Sequence, residues 1–208
     1  MPEISSGLRS ILTSPFVYRA WGILLGGPAA TAEHVSRYLR PEPGDRVLDI
    51  GCGPADMLAQ LPDDVAYVGF DVSASYIEAA RLRYGKRGTF IHASVGEPPP
   101  VEPASFDIAN ATGLLHHLSD EEALGTLRLA YDSLKPNGRL ITLDPPLGVE
   151  GQSRIARWLI EHDRGQNVRK PEQYLSLARN VFASVNAEIR HNPLNVPYTY
   201  FIMECRKT

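Results

Sequence analysis

Residues Val47-Leu48-Asp49-Ile50-Gly51-Cys52-Gly53-Pro54-Ala55-Asp56 decide the fold of this 208-residue chain. The run from Val47 to Ile50 is short, mostly apolar and β-prone, which is typical of a strand buried on both faces of a parallel sheet. Gly51 and Gly53 then allow the backbone to turn sharply and to approach a ligand closely, because they carry no Cβ. The stretch predicts a strand, a glycine turn and a helix, an arrangement that binds nucleotide-type cofactors at a sheet edge.

The residues after the turn predict the helix and a second strand. Pro54 has no N–H to lose and suits the first position of a helix, and Leu58 and Leu61 contribute to its apolar face. Residues 66–71 are typical of a strand that ends in the carboxylate of Asp71. A carboxylate there can accept hydrogen bonds from both ribose hydroxyls of an adenosine group. The alternative is an acid that only caps the helix after the strand.

Two positions in and before the turn distinguish between cofactors. A dinucleotide fingerprint has a third glycine where this chain has Asp56, so the match to that fingerprint is incomplete. Asp49 precedes Gly51 and Gly53, and this pattern resembles motif I of the class I S-adenosylmethionine (SAM) methyltransferases. That family usually has acid-x-Gly-x-Gly-x-Gly, and Ala55 stands here in the last glycine position.

Three later motifs resemble the same family in the same order. Residues 105–111 are similar to its fourth strand, residues 114–120 (Leu-Leu-His-His-Leu-Ser-Asp) to the turn after that strand, and residues 134–144 to the unit that ends in the fifth strand. The resemblance implies an α/β fold, a three-layer sandwich with a seven-stranded, mostly parallel sheet whose last strand is antiparallel. It also implies SAM as the cofactor and S-adenosylhomocysteine (SAH) as its product.

The resemblance further implies which residues bind the cofactor. Backbone carbonyls near Gly51 and Asn110 are expected to meet the amino group of its methionine part. The family commonly has an acid after the third strand for the adenine amine, and Ser94 is the expected substitute in this chain. The predicted cofactor-binding residues are Asp49, Gly51, Cys52, Gly53, Asp71, Val72, Ser94 and Asn110.

Methyl transfer to an oxygen, or to a protonated nitrogen, requires a base near the acceptor. His116 and His117 follow the fourth strand and have a near-neutral intrinsic pKa, with a slight preference for His117. The alternative is that one packs inward and the other is solvated. Asp144 ends the fifth strand and is expected either to orient the acceptor or to cap the loop before Pro145. Tyr18 either donates a hydrogen bond to the acceptor or is structural.

The chain is expected to form one methyltransferase domain, residues 1–208. Residues 4–28 carry aromatic side chains and end in Gly-Gly-Pro, so they are either a lid over the cofactor or a helix packed on the core. Residues 145–180 lie where the family varies and where acceptors are usually selected. Because this segment is locally basic, Arg164 or Arg169 could pair with a carboxylate or phosphate of the acceptor. The alternative is a solvated basic face.

Capping residues predict where two helices begin. Ser75 and Glu78 have the spacing of a capping box, and so do Ser119 and Glu122. Two final strands are expected near residues 183–191 and 198–205.

Composition narrows the remaining function classes. A net charge of −3 without a Lys/Arg-rich run gives no reason to expect nucleic acid as a partner. Neither a membrane span, which needs an apolar run of ~18 residues, nor a secretory signal is expected. Cys52 and Cys205 make no disulfide framework, and no cluster has metal-ligand spacing, so no metal is expected.

We therefore expect a cytoplasmic SAM-dependent methyltransferase that acts on an oxygen, or on a nitrogen, of a small molecule. The alternatives are an NAD-type oxidoreductase, which shares the glycine turn and the ribose-binding acid, and a non-catalytic SAM-binding regulator.

Overall fold

The computed structural model describes residues 27–162, 165–193 and 195–208. The strands are β1 (Arg46–Ile50), β2 (Ala66–Asp71), β3 (Thr89–His92), β4 (Phe106–Thr112), β5 (Leu134–Asp144), β6 (Ser184–His191) and β7 (Thr199–Arg206). They form one seven-stranded sheet in the order β3-β2-β1-β4-β5-β7-β6. β7 is antiparallel to β5 and β6, and the other neighbours are parallel. The predicted mostly parallel sheet with an antiparallel last strand is confirmed.

Helices cover both faces of the sheet, as the predicted three-layer sandwich requires. They are α1 (Gly27–Glu33), which continues as a π-helix over His34–Leu39, α2 (Ala74–Tyr84), α3 (Asp120–Ser133), α4 (Arg154–Glu161) and α5 (Pro171–Arg179). One buried cluster includes Val35 of the π-helix and Ile77 of α2. A second cluster includes Leu127 of α3 and Leu177 of α5. Burial of apolar side chains in these two clusters stabilises the layered arrangement.

The two predicted capping boxes have different outcomes. At α3, Oγ of Ser119 accepts from the backbone N–H of Glu122 at 3.3 Å, and Oε2 of Glu122 accepts from the backbone N–H of Ser119 at 2.9 Å, which confirms this box. At α2 the cap is Ser73, so the predicted box that starts at Ser75 is wrong. The reason is that the carboxylate of Asp71 accepts the backbone N–H of Ser73 at 2.8 Å and turns the chain into the helix earlier.

The strand order reverses between β1 and β4. In open α/β sheets, ligands bind in the crevice outside the carboxyl ends of the strands at such a switch point. Asp49 of β1 stands opposite Asn110 of β4 in the register of these two strands. The fold therefore brings two predicted cofactor-binding residues together at the switch point.

Two predicted segments flank the sheet in sequence. Apart from the first two residues of α1, the predicted lid at residues 4–28 lies outside the described residues, and so does Tyr18. The predicted acceptor-binding segment, residues 145–180, contains α4 and α5 and connects β5 to β6. Arg164 of that segment is also outside the described residues. The single domain, the lid and the acceptor-binding role stay predictions.

The described ranges also bear on membranes, disulfides and metals. Within them, no helix has the length and apolar character needed to cross a bilayer. Cys52 and Cys205 are free thiols. No group of three or more His, Cys, Asp or Glu side chains in these ranges could hold a metal ion.

Candidate cofactor site and catalytic residues

The turn after β1 has a left-handed backbone at three alternate positions. The φ angles are +71° at Gly51, +53° at Gly53 and +57° at Ala55. Ala55 thus has the conformation that glycine adopts at lowest cost in the family pattern. The helical turn after it begins only at Asp56, so the prediction that Pro54 occupies the first helical position is wrong. Pro54 instead lies inside the turn, which the left-handed Ala55 completes.

The two glycines of the turn have different surroundings. A Cβ on Gly51 would lie 2.9 Å from Cδ1 of Leu114, whereas a Cβ on Gly53 would meet nothing within 4 Å. Gly51 is therefore favoured by its φ angle, and an added Cβ would also require the side chain of Leu114 to shift. Gly53 faces open space, so a ligand can approach its backbone. This open cradle fits an adenosine-type group held at the end of β1.

Asp71 connects the end of β2 to the glycine turn. Its Oδ2 accepts from the backbone N–H of Gly53 at 2.9 Å, and its Oδ1 accepts from that of Ser73 at 2.8 Å. A carboxylate has about four acceptor positions, so this geometry is compatible with further hydrogen bonds from ribose hydroxyls. The structure thus shows a positional link between the predicted ribose acid and the turn.

Val72 and Ser94 lie at the ends of the neighbouring strands. The side chain of Val72 is 69% exposed directly after Asp71, which offers an apolar surface beside the predicted ribose position. Oγ of Ser94 accepts from the backbone N–H of Glu97 at 3.1 Å. A hydroxyl that accepts one bond can still donate its own proton. Both positions are therefore compatible with an adenine ring, and their role stays a prediction.

Asp49 lies inside a buried chain of polar side chains. Its Oδ2 accepts from the hydroxyl of Tyr67 at 2.6 Å, and its Oδ1 accepts from Nδ2 of Asn110 at 2.8 Å. Oδ1 of Asn110 faces Nε2 of His34 at 3.0 Å and accepts from Oγ1 of Thr112 at 2.9 Å. We call these five residues the switch-point network. Sequence reasoning missed His34, Tyr67 and Thr112, since no motif marks them.

Burial dominates the electrostatics of this network. It raises the pKa of Asp49 to about 6, and the charge of Asp71 acts in the same direction, whereas the hydrogen bonds from Tyr67 and Asn110 oppose the rise. Burial likewise raises the pKa of the Cys52 thiol far above its usual range. Cys52 is therefore no thiolate nucleophile at neutral pH. Its backbone N–H donates to the carbonyl of Phe70 at 3.0 Å, which holds the turn against β2.

His116 and Asp144 form a buried pair where β4 and β5 end. Oδ1 of Asp144 lies 2.8 Å from Nδ1 of His116 and accepts from the backbone N–H of the same histidine at 3.1 Å. Because a carboxylate only accepts, Nδ1 carries the proton and Nε2 is left as the basic nitrogen. The exposed ring of His117 lies 4.0 Å from that of His116. One histidine is thus buried and the other solvated.

The predicted acceptor-binding segment covers this pair. The backbone N–H of Asn167 donates to the carbonyl of His116 at 2.9 Å. Gly165 lies against the imidazole so closely that an added Cβ would be 2.2 Å from Cδ2 of His116. The segment therefore covers His116, and its role in acceptor binding stays a prediction.

Arg169 is a structural residue. It is 5% exposed, and its guanidinium donates to the carbonyls of Leu115 and Leu118 and to Oδ1 of Asp120, each at 2.7 Å. The hypothesis that Arg169 pairs with an acidic acceptor is wrong, because these bonds hold its side chain on the turn that carries both histidines. The alternative of a solvated basic face fails at Arg169 but agrees with the exposed Arg154, Arg157 and Lys170. The sequence did not indicate that Arg169 is buried, because it is one of several basic residues in this segment.

The comparisons with known proteins agree with this geometry. The profile of the family described as "Methyltransferase domain" matches residues 47–138. The ubiquinone biosynthesis O-methyltransferase of Chelativorans sp. (strain BNC1) is 30% identical over 173 residues, which cover 76% of this chain and 67% of that protein. The chain belongs to the class I SAM-dependent methyltransferases. Family membership disfavours the NAD-type oxidoreductase, and it confirms SAM as the cofactor type.

Two further relatives show how far the likeness extends. The 27-O-demethylrifamycin SV methyltransferase of Amycolatopsis mediterranei (strain S699) is 35% identical over 127 residues, or 55% of this chain and 45% of that protein. The solved structure of Haemonchus contortus phosphoethanolamine N-methyltransferase 2 with S-adenosyl-L-methionine has a TM-score of 0.74 at 16% identity, and it covers 100% of this chain and 61% of the other. This methyltransferase-family chain spans about half the length of the first curated relatives that it matches.

Proposed function

We propose that this chain transfers a methyl group from SAM to an oxygen of a small-molecule acceptor. The observation that carries the proposal is the buried Asp144–His116 pair, which presents an imidazole base beside the switch point. Relatives whose names specify O-methyltransferases support oxygen over nitrogen. The acidity of the acceptor and the cytoplasmic location stay predictions. Arg169 does not support an acidic acceptor, because its guanidinium is bonded within the protein.

The residues of the switch point would hold the cofactor. The backbone at Gly53 would lie against the adenosine, Asp71 would accept from the ribose hydroxyls, and Val72 would contact the adenine. Asp49, kept beside the turn by Tyr67 and Asn110, would supply negative charge near the methionine end. When bound, SAM supplies an electrophilic methyl group on a sulfonium. The chain itself must therefore orient the acceptor and remove its proton.

The Asp144–His116 pair would perform that second task. Nε2 of His116 would take the proton of the acceptor hydroxyl, and SAM would supply the methyl group to that oxygen by cleavage of its carbon–sulfur bond, with SAH as the product. Asp144 keeps Nδ1 protonated, so Nε2 stays basic, and it favours the imidazolium that results. Oδ2 of Asp144 is buried with no hydrogen-bond partner among the described residues, which supports a second role in orienting the acceptor. His117, preferred from the sequence, is the competing base.

The decisive experiment combines binding and turnover. Calorimetry with SAM and SAH tests the cofactor site, and mass spectrometry of a panel of phenols, catechols, other hydroxy compounds and amines tests transfer of one methyl group. His116→Asn keeps a side-chain N–H for Asp144 but lacks Nε2, so we expect kcat to fall about 100-fold or more with little change in SAH affinity.

His117→Asn is the matched control, because it makes the same change on the exposed neighbour. If His117→Asn lost all turnover and His116→Asn stayed active, His117 would be the base instead of His116. Tight binding of SAM without turnover of any compound in the panel would favour the non-catalytic regulator.

A further inference from the structure

His34 is a buried histidine of the switch-point network. It is 5% exposed and lies in the first turn of the π-helix that continues α1. Its Nε2 is 3.0 Å from Oδ1 of Asn110 and 3.1 Å from Oγ1 of Thr112. The proposed methyl transfer assigns no task to this side chain.

The network determines how each of its groups is oriented. Asp49 accepts from Nδ2 of Asn110, so the amide oxygen of Asn110 must face His34 and Thr112. An amide oxygen only accepts, which means that Nε2 of His34 carries the proton. His34 and Thr112 therefore donate the two bonds that keep the amide from flipping. In the flipped state, the amide oxygen would face the carboxylate of Asp49, which is repulsive.

We infer that His34 is a positioning residue for the cofactor: through Asn110 it holds the carboxylate of Asp49 beside the glycine turn. The inference rests on the proposed function, because it assumes that Asp49 faces the methionine end of SAM. It also means that the π-helix after α1 is connected by three side chains to the cofactor site. Affinity for the cofactor then depends on a helix that does not itself form the glycine turn.

Charged and titratable groups around the network decide its pH behaviour. Asp49 is faced by Tyr67 and Asp71 from β2 and by the thiol of Cys52 from the turn. Burial lowers the pKa of His34, so it stays neutral at neutral pH, although its bond to Asn110 opposes the shift. Neutral His34 thus acts as a fixed donor, and the titrating member of the network is Asp49.

His34 also lines a small cavity of about 30 Å³. Glu33, Tyr38 and Arg190 line it together with His34, and Glu33 and Arg190 form an ion pair at 2.6 Å. Nδ1 of His34 is buried without a hydrogen-bond partner among the described residues. In the charged form of His34, Nδ1 would also carry a proton and would have no acceptor among the described residues. This agrees with the lowered pKa of His34. The bond from Nε2 to Asn110 is therefore the polar contact through which His34 acts on the site.

Three substitutions at position 34 separate positioning from general stability. His34→Gln places an amide N–H near the position of Nε2, His34→Asn places one near Nδ1, and His34→Leu removes the donor. Val35→Ala is the matched control, because it removes buried apolar atoms from the same helix and leaves the network intact. Each variant is measured for SAH affinity by calorimetry and for unfolding by heat.

We expect SAH to bind about fivefold or more weakly to the Leu and Asn variants, and within about twofold of the unchanged protein to the Gln variant. Val35→Ala should unfold at lower temperature with unchanged SAH affinity. In the apoprotein, the ¹³C titration of the Asp49 carboxyl carbon should have a higher midpoint in His34→Leu and a restored one in His34→Gln.

The outcomes distinguish this inference from the proposed function. Equal SAH affinity and equal Asp49 midpoints in the Gln and Leu variants would overturn the positioning role. If the unchanged protein bound no SAH, the proposed function would fail, while the apoprotein titration would still decide whether His34 positions Asp49. If His34→Leu does not fold, the comparison of the Gln and Asn variants gives the same decision.

Discussion

Asp49 and Asn110 are opposite each other across the β1–β4 pair, and Nδ2 of Asn110 donates to Oδ1 of Asp49 at 2.8 Å. This bond lies where the strand order reverses, at the place where an open α/β sheet binds its ligand. It keeps a buried acid at a position where an apolar residue would cost less free energy. A carboxylate in such a place indicates a functional role that is maintained at the expense of stability.

Asp49→Asn should therefore stabilise the protein without cofactor at neutral and higher pH. The folded-state pKa of about 6 exceeds the ordinary value of 3.8, so the folded state binds the proton more tightly, and stability from this group is lost as pH rises from about 4 to about 6. Urea unfolding should show that the difference between variant and unchanged protein grows by about 2 kcal/mol between pH 4.5 and pH 7.5. SAM affinity should fall about tenfold. A difference that stayed flat with pH would contradict this account of Asp49.

Asp71→Asn should weaken cofactor binding more strongly. An amide can accept on only one of its two terminal atoms, so its nitrogen would face the backbone N–H of Gly53 or of Ser73. The loss of a charge-assisted contact to the ribose adds to this effect, and SAH affinity should fall about 10- to 100-fold in calorimetry. Asp63→Asn changes the same group at an exposed position and should bind SAH normally. Equal SAH affinities of Asp71→Asn and Asp63→Asn would show that Asp71 does not bind the cofactor.

Gly165→Ala and Gly125→Ala make the same change with opposite expected results. At Gly165 the new Cβ would lie 2.2 Å from Cδ2 of His116, so either the imidazole or the covering segment must move, and kcat should fall about 10-fold or more. Gly125 is exposed in α3 with nothing within 4 Å of an added Cβ, so the free energy of unfolding should rise by about 1 kcal/mol with unchanged turnover. Full activity in Gly165→Ala would show that the proposed base does not depend on this cover.

Much of the fold and part of the site could be predicted from the sequence because the signals are local. The glycine turn, Asp71 and the Ser119 box each depend on a few adjacent residues, and the family resemblance implied the seven-stranded, mostly parallel sheet with an antiparallel last strand. The switch-point network could not be predicted, since His34 and Asn110 are 76 positions apart and neither lies in a pattern that marks the other.

The burial of Arg169 could not be predicted for the same reason, because its partners lie about 50 positions away. The orienting bond of His116 was missed because adjacent histidines look equivalent until Asp144 lies beside one of them.

Arg169→Met should destabilise the turn that carries the two histidines. Methionine retains much of the apolar stem but none of the donors, so the carbonyls of Leu115 and Leu118 lose their charged partner in the interior. Urea unfolding should show a loss of about 2 to 4 kcal/mol, and Arg169→Lys should recover only part of it, because a point charge cannot reproduce the guanidinium fork. Arg179→Met, at the exposed end of α5, should stay within about 0.5 kcal/mol of the unchanged protein. If Arg169→Met proved as stable as Arg179→Met, the guanidinium of Arg169 would not stabilise this turn. A contact between Arg169 and an acidic acceptor would then have to be considered again.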